Sequence, residues 1–167
     1  MGGRIPAKWH GVARAAASTS TEQILLFRVG EGLYGIEIRG LWEVLSPEGM
    51  TDLPTPTYQI CSALAYRGRR LPLVRLSALF GESTDRVSGT ARVLLIQGHG
   101  RPLGLLIDEV IGVAEVDTRR IARMPGLATL LSPELFRGVC SRGTEIVTLI
   151  SVDGLGKIPE VVGFAAA

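Results

Sequence analysis

Few side chains in this sequence have the types and spacing that acid–base or nucleophilic chemistry requires. Of the two histidines, His10 lies in an N-terminal extension and His99 at the tip of a predicted hairpin. A catalytic base must be held within hydrogen-bond distance of its target, so we interpret both histidines as solvated loop residues. Asp108 and Glu109 are adjacent at a strand end, where neighbouring side chains point to opposite faces. We interpret them as a turn-forming Asp and a solvated Glu, and we predict that the protein is not an enzyme.

The sequence also lacks the common patterns that bind phosphate groups or metal ions. It contains neither GxxxxGK[ST] nor HExxH, and its nearest glycine-rich loop, around His99, precedes a predicted strand and not a helix. Cys61 and Cys140 lie in apolar runs with no second Cys or His at metal-ligand spacing. In preference to a disulfide, we interpret both as buried reduced thiols of a cytoplasmic protein. No cofactor and no metal are predicted.

Length and composition predict one globular domain, or two small lobes, without membrane insertion. The chain has 167 residues, of which 46% are hydrophobic, and a formal net charge of +2. Its uncharged apolar runs are far shorter than the ~20 residues that a membrane-spanning helix needs. Residues 1–22 are basic and rich in Ala, Ser and Thr, with no acid before Glu22, so we expect a flexible extension there. We expect residues 156–167 to form a C-terminal tail.

A cluster of four arginines raises nucleic-acid binding as an alternative function. The cluster consists of Arg67, Arg69, Arg70 and Arg75. Proteins that bind single strands combine such charge with exposed aromatic platforms, yet aromatic residues make up only 5% of the chain. Trp42 lies in apolar surroundings, which predicts a core position. We therefore expect no nucleic-acid partner and keep a small nucleic-acid-binding barrel as the alternative.

Short apolar runs joined by glycine-containing turns predict a chain built mainly of β-hairpins. The hairpins are predicted at 24–38, 60–75, 92–107 and 135–150. The pattern occurs once in 24–81 and again in 91–155, with few residues suited to long helices. It predicts an all-β fold made of two small barrels.

Three local predictions concern the connections between these hairpins. Residues 39–45 are predicted to form a helical turn or two, with Glu43 on the solvent side. Residues 117–121 are predicted to form a capped helical turn. Pro72 cannot donate to a strand ladder, so its strand is predicted to lie at a sheet edge or to begin there. Since an edge strand beside a cationic turn can receive another chain, we predict a protein-docking site at this turn.

Six short segments occur in an order and spacing that resemble those of one protein family. The segments are 33–36, 42–44, 53–54, 66–68 with 71–74, 104–110 and 136–139. Together they resemble the CheW-type chemotaxis coupling proteins over about 24–155. The resemblance implies two interlocked five-stranded SH3-like β-barrels within a domain of residues 23–155.

The resemblance also implies a function and a set of partner-binding residues. CheW-type proteins are cytoplasmic, non-catalytic adaptors that link the regulatory domain of a CheA-type histidine kinase to the cytoplasmic tips of methyl-accepting chemoreceptors. A related adaptor for pili or gliding motility is the alternative within the same family. Carried over by position, the implied partner-binding residues are Leu41, Glu43, Arg67, Gly68, Leu127 and Gly138.

Several positions depart from the pattern that the resemblance implies. Ser62 and Ala65 stand where Gly and Asn are usual, and Arg75 replaces an acid. Gly126 and Leu127 stand where a Glu-Phe pair anchors a second kinase contact that closes kinase–coupler rings. Gly126 has no charge, and Leu127 is a smaller anchor than an aromatic ring. We therefore expect the first contact to be kept and ring closure to be weakened or built differently.

Overall fold

The computed structural model describes residues 20–53, 60–79, 87–98, 100–123 and 133–158, which form eleven β-strands and a few short helices. The strands are β1 (Thr21–Val29), β2 (Gly32–Glu37), β3 (Leu41–Leu45), β4 (Thr51–Asp52), β5 (Ile60–Tyr66), β6 (Arg69–Arg75), β7 (Arg92–Gly98), β8 (Arg101–Ile107), β9 (Glu109–Asp117), β10 (Phe136–Arg142) and β11 (Glu145–Ile150). The helices are α1 (Leu76–Leu79), α2 (Val152–Gly156) and the 3₁₀-helices Ile38–Gly40, Thr118–Arg120 and Pro133–Leu135. This composition confirms the all-β class.

The strands form two sheets, and each sheet takes strands from both parts of the chain. The first sheet has the order β10-β11-β2-β1-β9, and the second has the order β3-β7-β8-β6-β5-β4. The predicted hairpins are present as antiparallel neighbours, while β11 pairs with β2 and β6 pairs with β8 in parallel. The segments 24–81 and 91–155 therefore exchange strands and are interlocked. The exact limits of the domain and its lobes remain predictions.

Three apolar clusters explain why several strands are continuous hydrophobic runs. On β1, Leu25 and Phe27 pack in a cluster shared by both sheets, whereas Ile24 and Leu26 pack in a cluster belonging to the first sheet. The strand β7 behaves in the same way, with Leu94 and Ile96 in the shared cluster and Val93 and Leu95 in a cluster of the second sheet. A strand buried on both faces does not alternate between apolar and polar residues. The shared cluster joins the sheets into one body.

A backbone contact joins β10, one outer strand of the first sheet, to the segment that follows β9, the other outer strand. Ala122 follows β9 and the 3₁₀-helix after it, and its N–H and C=O groups bond with the backbone of Val139 in β10, each at 2.8 Å. Gly138 lies at this contact with φ +146, and a Cβ added to it would lie 2.3 Å from the carbonyl oxygen of Ala122. We name this contact the backbone seam. Only glycine fits there without displacing one of the strands.

The prediction of a helical turn at 39–45 was wrong. Only Ile38–Gly40 is helical, and β3 follows directly. Leu41 pairs with Ile96 and Glu43 with Leu95, so Trp42 is the extra residue of a β-bulge. The bulge turns Trp42 outward with 51% exposure and turns Glu43 inward with 8% exposure. Both earlier placements, Trp42 in the core and Glu43 in solvent, are thereby reversed.

The prediction of an edge position for the strand of Pro72 was also wrong. The strand β6 lies between β5 and β8, and Pro72 is buried opposite Ala63. The pairing of β6 with β8 begins at Leu73. Pro72 therefore lies just outside the paired residues, where the ladder requires no backbone N–H donor.

The predicted capped turn at 117–121 is present, and a short helix follows β6. Thr118–Arg120 is a 3₁₀-helix whose N-cap Asp117 accepts from the backbone N–H of Arg119 at 3.0 Å. Hydrogen bonds from the side chain and the backbone of Arg119 lower the pKa of Asp117. The run after β6 forms the short helix α1. Among the described residues, no helix has the length and apolar character needed to cross a membrane.

Candidate functional site

The turn between β5 and β6 consists of Arg67 and Gly68, both with positive φ. Their φ angles are +46 and +76, and such pairs occur in the two-residue turns whose twist matches that of the flanking strands. A Cβ on Gly68 would find no heavy atom within 4 Å, so glycine is needed there for its backbone conformation and not for space. Among the described residues, Arg67 is the only one other than glycine with a positive φ. The turn projects the side chain of Arg67, which is 74% exposed, from the end of the sheet.

A buried carboxylate connects this turn to the opposite edge of the second sheet. Tyr66 donates its hydroxyl to Oε1 of Glu43 at 2.5 Å, and Nη2 of Arg67 donates to the same oxygen at 3.3 Å. The guanidinium carbon of Arg67 lies 5.2 Å from the centre of the Tyr66 ring, within cation–π range. Glu43 belongs to β3 and Tyr66 to β5, which lie far apart in the strand order. We name Glu43, Tyr66 and Arg67 the side-chain seam, because they join β3, at one edge of the second sheet, to β5, which lies near the other edge.

The electrostatics of the side-chain seam follow from the buried carboxylate. The hydrogen bond to Glu43, followed by burial and the negative charge of Glu43, raises the pKa of the Tyr66 hydroxyl, and Arg67 partly opposes this shift. The second carboxylate oxygen of Glu43, Oε2, is buried and has no hydrogen-bond partner among the described residues. A buried oxygen without a donor is costly. Because Oε2 is buried, it faces the interior of the chain, and the groups that the seam exposes are the donors of Arg67.

Leu41 is buried, whereas the partner-binding role implied for it requires an exposed side chain. It is 5% exposed and packs in the cluster shared by the two sheets, so its apolar area lies inside the chain. The exposed apolar area in this strand belongs to its neighbour Trp42. The sequence did not reveal this because most residues of 41–45 are apolar and the bulge leaves no sequence signal.

Of the remaining implied residues, Gly138 does not join this cluster. Gly138 lies in the first sheet, at the backbone seam, where its lack of a side chain allows the close approach of Ala122. Leu127 lies outside the described residues, as do His10 and His99. The structure thus brings together Glu43, Arg67 and Gly68.

An ion-pair network beside Gly138 had not been predicted. Arg137 on β10 binds both carboxylate oxygens of Glu22 at 2.6 and 3.1 Å, and it contacts Glu37 at 3.0 Å. Burial opposes the charge of Arg137, but the hydrogen bond to Glu22 and the charges of Glu37 and Glu22 raise its pKa. The three residues are distant in sequence, and only the pairing of β10, β11, β2 and β1 brings them together.

Of the residues considered for catalysis, the structure describes Asp108 and Glu109. Oδ2 of Asp108 accepts from the backbone N–H of Gly30 at 2.7 Å, and Glu109 is exposed, as the sequence predicted. Cys140 is a free thiol but only half-buried, which corrects the prediction of full burial. Burial raises the pKa of this thiol, which keeps it protonated and poorly nucleophilic.

Comparison with known proteins identifies the family. A family model for the CheW-like domain matches residues 23–159. The chain is 24% identical over 162 residues to chemotaxis protein CheW of Treponema pallidum (strain Nichols), covering 93% of this chain and 94% of that protein. It is 25% identical over 133 residues to chemotaxis protein CheW of Rhizobium meliloti (strain 1021), covering 80% and 86%.

A solved structure has the same fold. The scaffolding protein TtCheW from Thermoanaerobacter tengcongensis matches with a TM-score of 0.76 at 23% identity, covering 86% of this chain and 93% of that chain. This similarity confirms the fold class that the sequence resemblance implied. Because the family match spans most of the chain and the two folds agree, this chain belongs to the CheW-like domain family.

Proposed function

We propose that this chain is a non-catalytic signalling adaptor that couples methyl-accepting chemoreceptors to a CheA-type histidine kinase. Membership of the CheW-like domain family and similarity to proteins named as chemotaxis protein CheW support this proposal. The observation that carries it is the side-chain seam, which fixes an exposed arginine at the end of a sheet. As an adaptor for receptor tips, the protein acts in the cytoplasm.

The geometry of Arg67 suits partner binding. Its guanidinium group has five N–H donors in a rigid fork, and Glu43 engages it through Nη2 alone. The contact with the Tyr66 ring limits the freedom of the side chain, which lowers the entropy lost on binding. A partner carboxylate or carbonyl group can therefore bind Arg67 while the seam stays closed.

A second partner surface is proposed on the first sheet. Gly138 lies at the backbone seam, next to the ion pairs of Arg137. A substitution at Gly138 would move β10 or the segment around Ala122. We propose that Gly138 acts by holding this surface in shape, and that Leu127 provides a weakened version of the second kinase contact.

The test of the proposed function is charge reversal at Arg67 in a reconstituted kinase assay with receptor fragments. We expect Arg67→Glu to abolish stimulation of kinase autophosphorylation, because the new acid repels both Glu43 and an acidic partner group. Arg92→Glu is the matched control, since Arg92 is exposed at the opposite end of the same sheet, beside Ile107. Urea unfolding of each variant establishes that the fold is kept. Normal stimulation by a folded Arg67→Glu variant would remove Arg67 from the site.

The weakened second contact has its own test. We expect Leu127→Phe to increase capture of the isolated kinase regulatory domain in a pull-down, because a larger aromatic anchor buries more apolar area. Equal capture by the wild type and the variant would argue against a ring contact limited by Leu127.

A further inference from the structure

A cleft lies where the second sheet meets the first, at the opposite end of β6 from Arg67. Arg75, the last residue of β6, pairs with Leu106 of β8, and both line this cleft together with Val29, the last residue of β1. The cleft has a volume of about 330 Å³, which includes space open to solvent. We name it the Arg75 cleft. Its described lining residues include none from either seam, so this inference is independent of the proposed function.

The lining of the Arg75 cleft contains a cationic donor without an acceptor. Arg75 is half-buried, and its Nε atom is buried and has no hydrogen-bond partner among the described residues. Arg75 also forms no ion pair with a described residue. Buried polar groups are nearly always hydrogen-bonded, because an unsatisfied donor has lost its contact with water and gained nothing in return. The Nε–H group of Arg75 therefore needs an acceptor that the described part of the chain does not supply.

The other polar residues of the Arg75 cleft limit which acceptor fits. Ser77 adds a hydroxyl group, which can donate a second hydrogen bond. Asp108 also lines the cleft, and two contacts hold it in place. Its Oδ2 accepts from the backbone N–H of Gly30 at 2.7 Å, and its carbonyl oxygen accepts from the hydroxyl of Thr90 at 2.7 Å. The negative charge of Asp108 disfavours a ligand with two or more negative charges, such as a phosphate dianion, in the same cleft.

We propose that the Arg75 cleft binds a small aliphatic monocarboxylate, of the size of propionate. The Nε–H group of an arginine and one neighbouring Nη–H group form a pair of parallel donors that matches the two oxygens of a carboxylate. Val29, Val87 and Leu106 provide apolar walls for a short alkyl chain. A water molecule would satisfy the donor but would leave the charge of Arg75 without a counterion. The volume is at the small end of the range for ligand sites, which favours a ligand of a few atoms.

The experiment follows the binding of propionate to the full chain by NMR of the arginine Nε–H groups and the backbone amides. Sodium propionate replaces sodium chloride at constant ionic strength. We expect the Nε–H signal of Arg75 and the amide signals of the cleft to shift and to reach saturation. Arg75→Gln should weaken binding by about tenfold or more, because the charge and the paired donors are both lost. Arg75→Lys keeps the charge but lacks the paired donors, so it should also bind more weakly than the wild type. Arg69→Gln, at the other end of β6, is the matched control and should bind as the wild type does.

The signals of the wild type decide the matter even where a variant at Arg75 does not fold. Shifts that grow in proportion to propionate without saturation, or an Nε–H signal of Arg75 that does not move, would overturn the proposal, because water alone would then fill the cleft. Binding of inorganic phosphate as tight as that of propionate would also overturn it, because the cleft would then accept any anion. Equal binding of propionate by the wild type and a folded Arg75→Gln variant would place the ligand elsewhere on the chain.

Discussion

Glu43 is the residue on which the site depends, and its burial changes the meaning of its neighbours. A solvated glutamate would leave Tyr66 and Arg67 as ordinary turn residues. Buried at the side-chain seam, Glu43 instead holds both side chains through one oxygen. The ion pair itself adds little stability, because Arg67 is mostly exposed. The hydrogen bond from Tyr66 is the stronger link, since its donor and acceptor are better shielded.

We predict that Tyr66→Phe destabilises the fold and that Glu43→Gln lowers the pKa of Tyr66. Removing the hydroxyl takes a donor from a buried carboxylate, which costs about 1–3 kcal/mol in the free energy of unfolding. The pKa of Tyr66 is raised above the ordinary tyrosine pKa of 10.0, so the unfolded chain loses this proton first as the pH rises past that ordinary value. The contribution of Tyr66 to stability is therefore complete below that pH and declines above it.

Urea unfolding and ultraviolet titration of tyrosine ionisation test this prediction. Subtracting the Tyr66→Phe titration from that of the wild type isolates the signal of Tyr66 from those of the other tyrosines. An unchanged unfolding midpoint in Tyr66→Phe, or an unchanged pKa of Tyr66 in Glu43→Gln, would contradict it.

At the scale of elements, Gly68 is required for its backbone conformation and Gly138 for its lack of a side chain. We therefore predict that alanine at these two positions lowers stability by different amounts. Gly68→Ala has open space around the new Cβ but a left-handed backbone, so we expect a loss of about 1–2 kcal/mol in stability. Gly138→Ala brings a Cβ against the backbone of Ala122, so we expect a larger loss, about 2–4 kcal/mol. Gly68→Asn should be milder than Gly68→Ala, because Asn tolerates positive φ better. Equal effects of Gly68→Ala and Gly138→Ala in urea unfolding would contradict this account.

The sequence predicted elements well where the signal is local and failed where it is not. Hairpins follow from apolar runs and turn residues, and the cap at Asp117 follows from residue type. The bulge at Trp42 depends on the register with β7, and no nearby residue specifies it. The interior position of Pro72 depends on β8, a strand about thirty residues later in the chain.

The candidate site shows the same division between local and distant information. Arg67 and Gly68 were predicted from the turn and the family resemblance. Their link to Glu43 depends on the curvature of the second sheet, which brings β3 and β5 together. The pairing of Arg137 with Glu22 likewise depends on strand exchange, so no local pattern in the sequence could reveal it.

At the scale of the whole molecule, strand exchange predicts that neither half of the chain folds alone. A fragment of residues 1–86 contains β1 and β2 without their partners β9 and β11, and a fragment of residues 87–167 contains β7 and β8 without β3 and β6. We expect each fragment to lack a cooperative unfolding transition and the mixture to regain one, as measured by circular dichroism in urea. A half that unfolds cooperatively by itself would contradict the interlocked arrangement.

The short connection between the sheets also has a mechanical consequence. Only Ile38–Gly40 separates β2, in the middle of the first sheet, from β3, which bears Trp42. A force applied to β3 at Trp42 is therefore transmitted to the middle strand of the other sheet through only three residues. A tether of this kind suits the molecule to transmit tension between two bound neighbours.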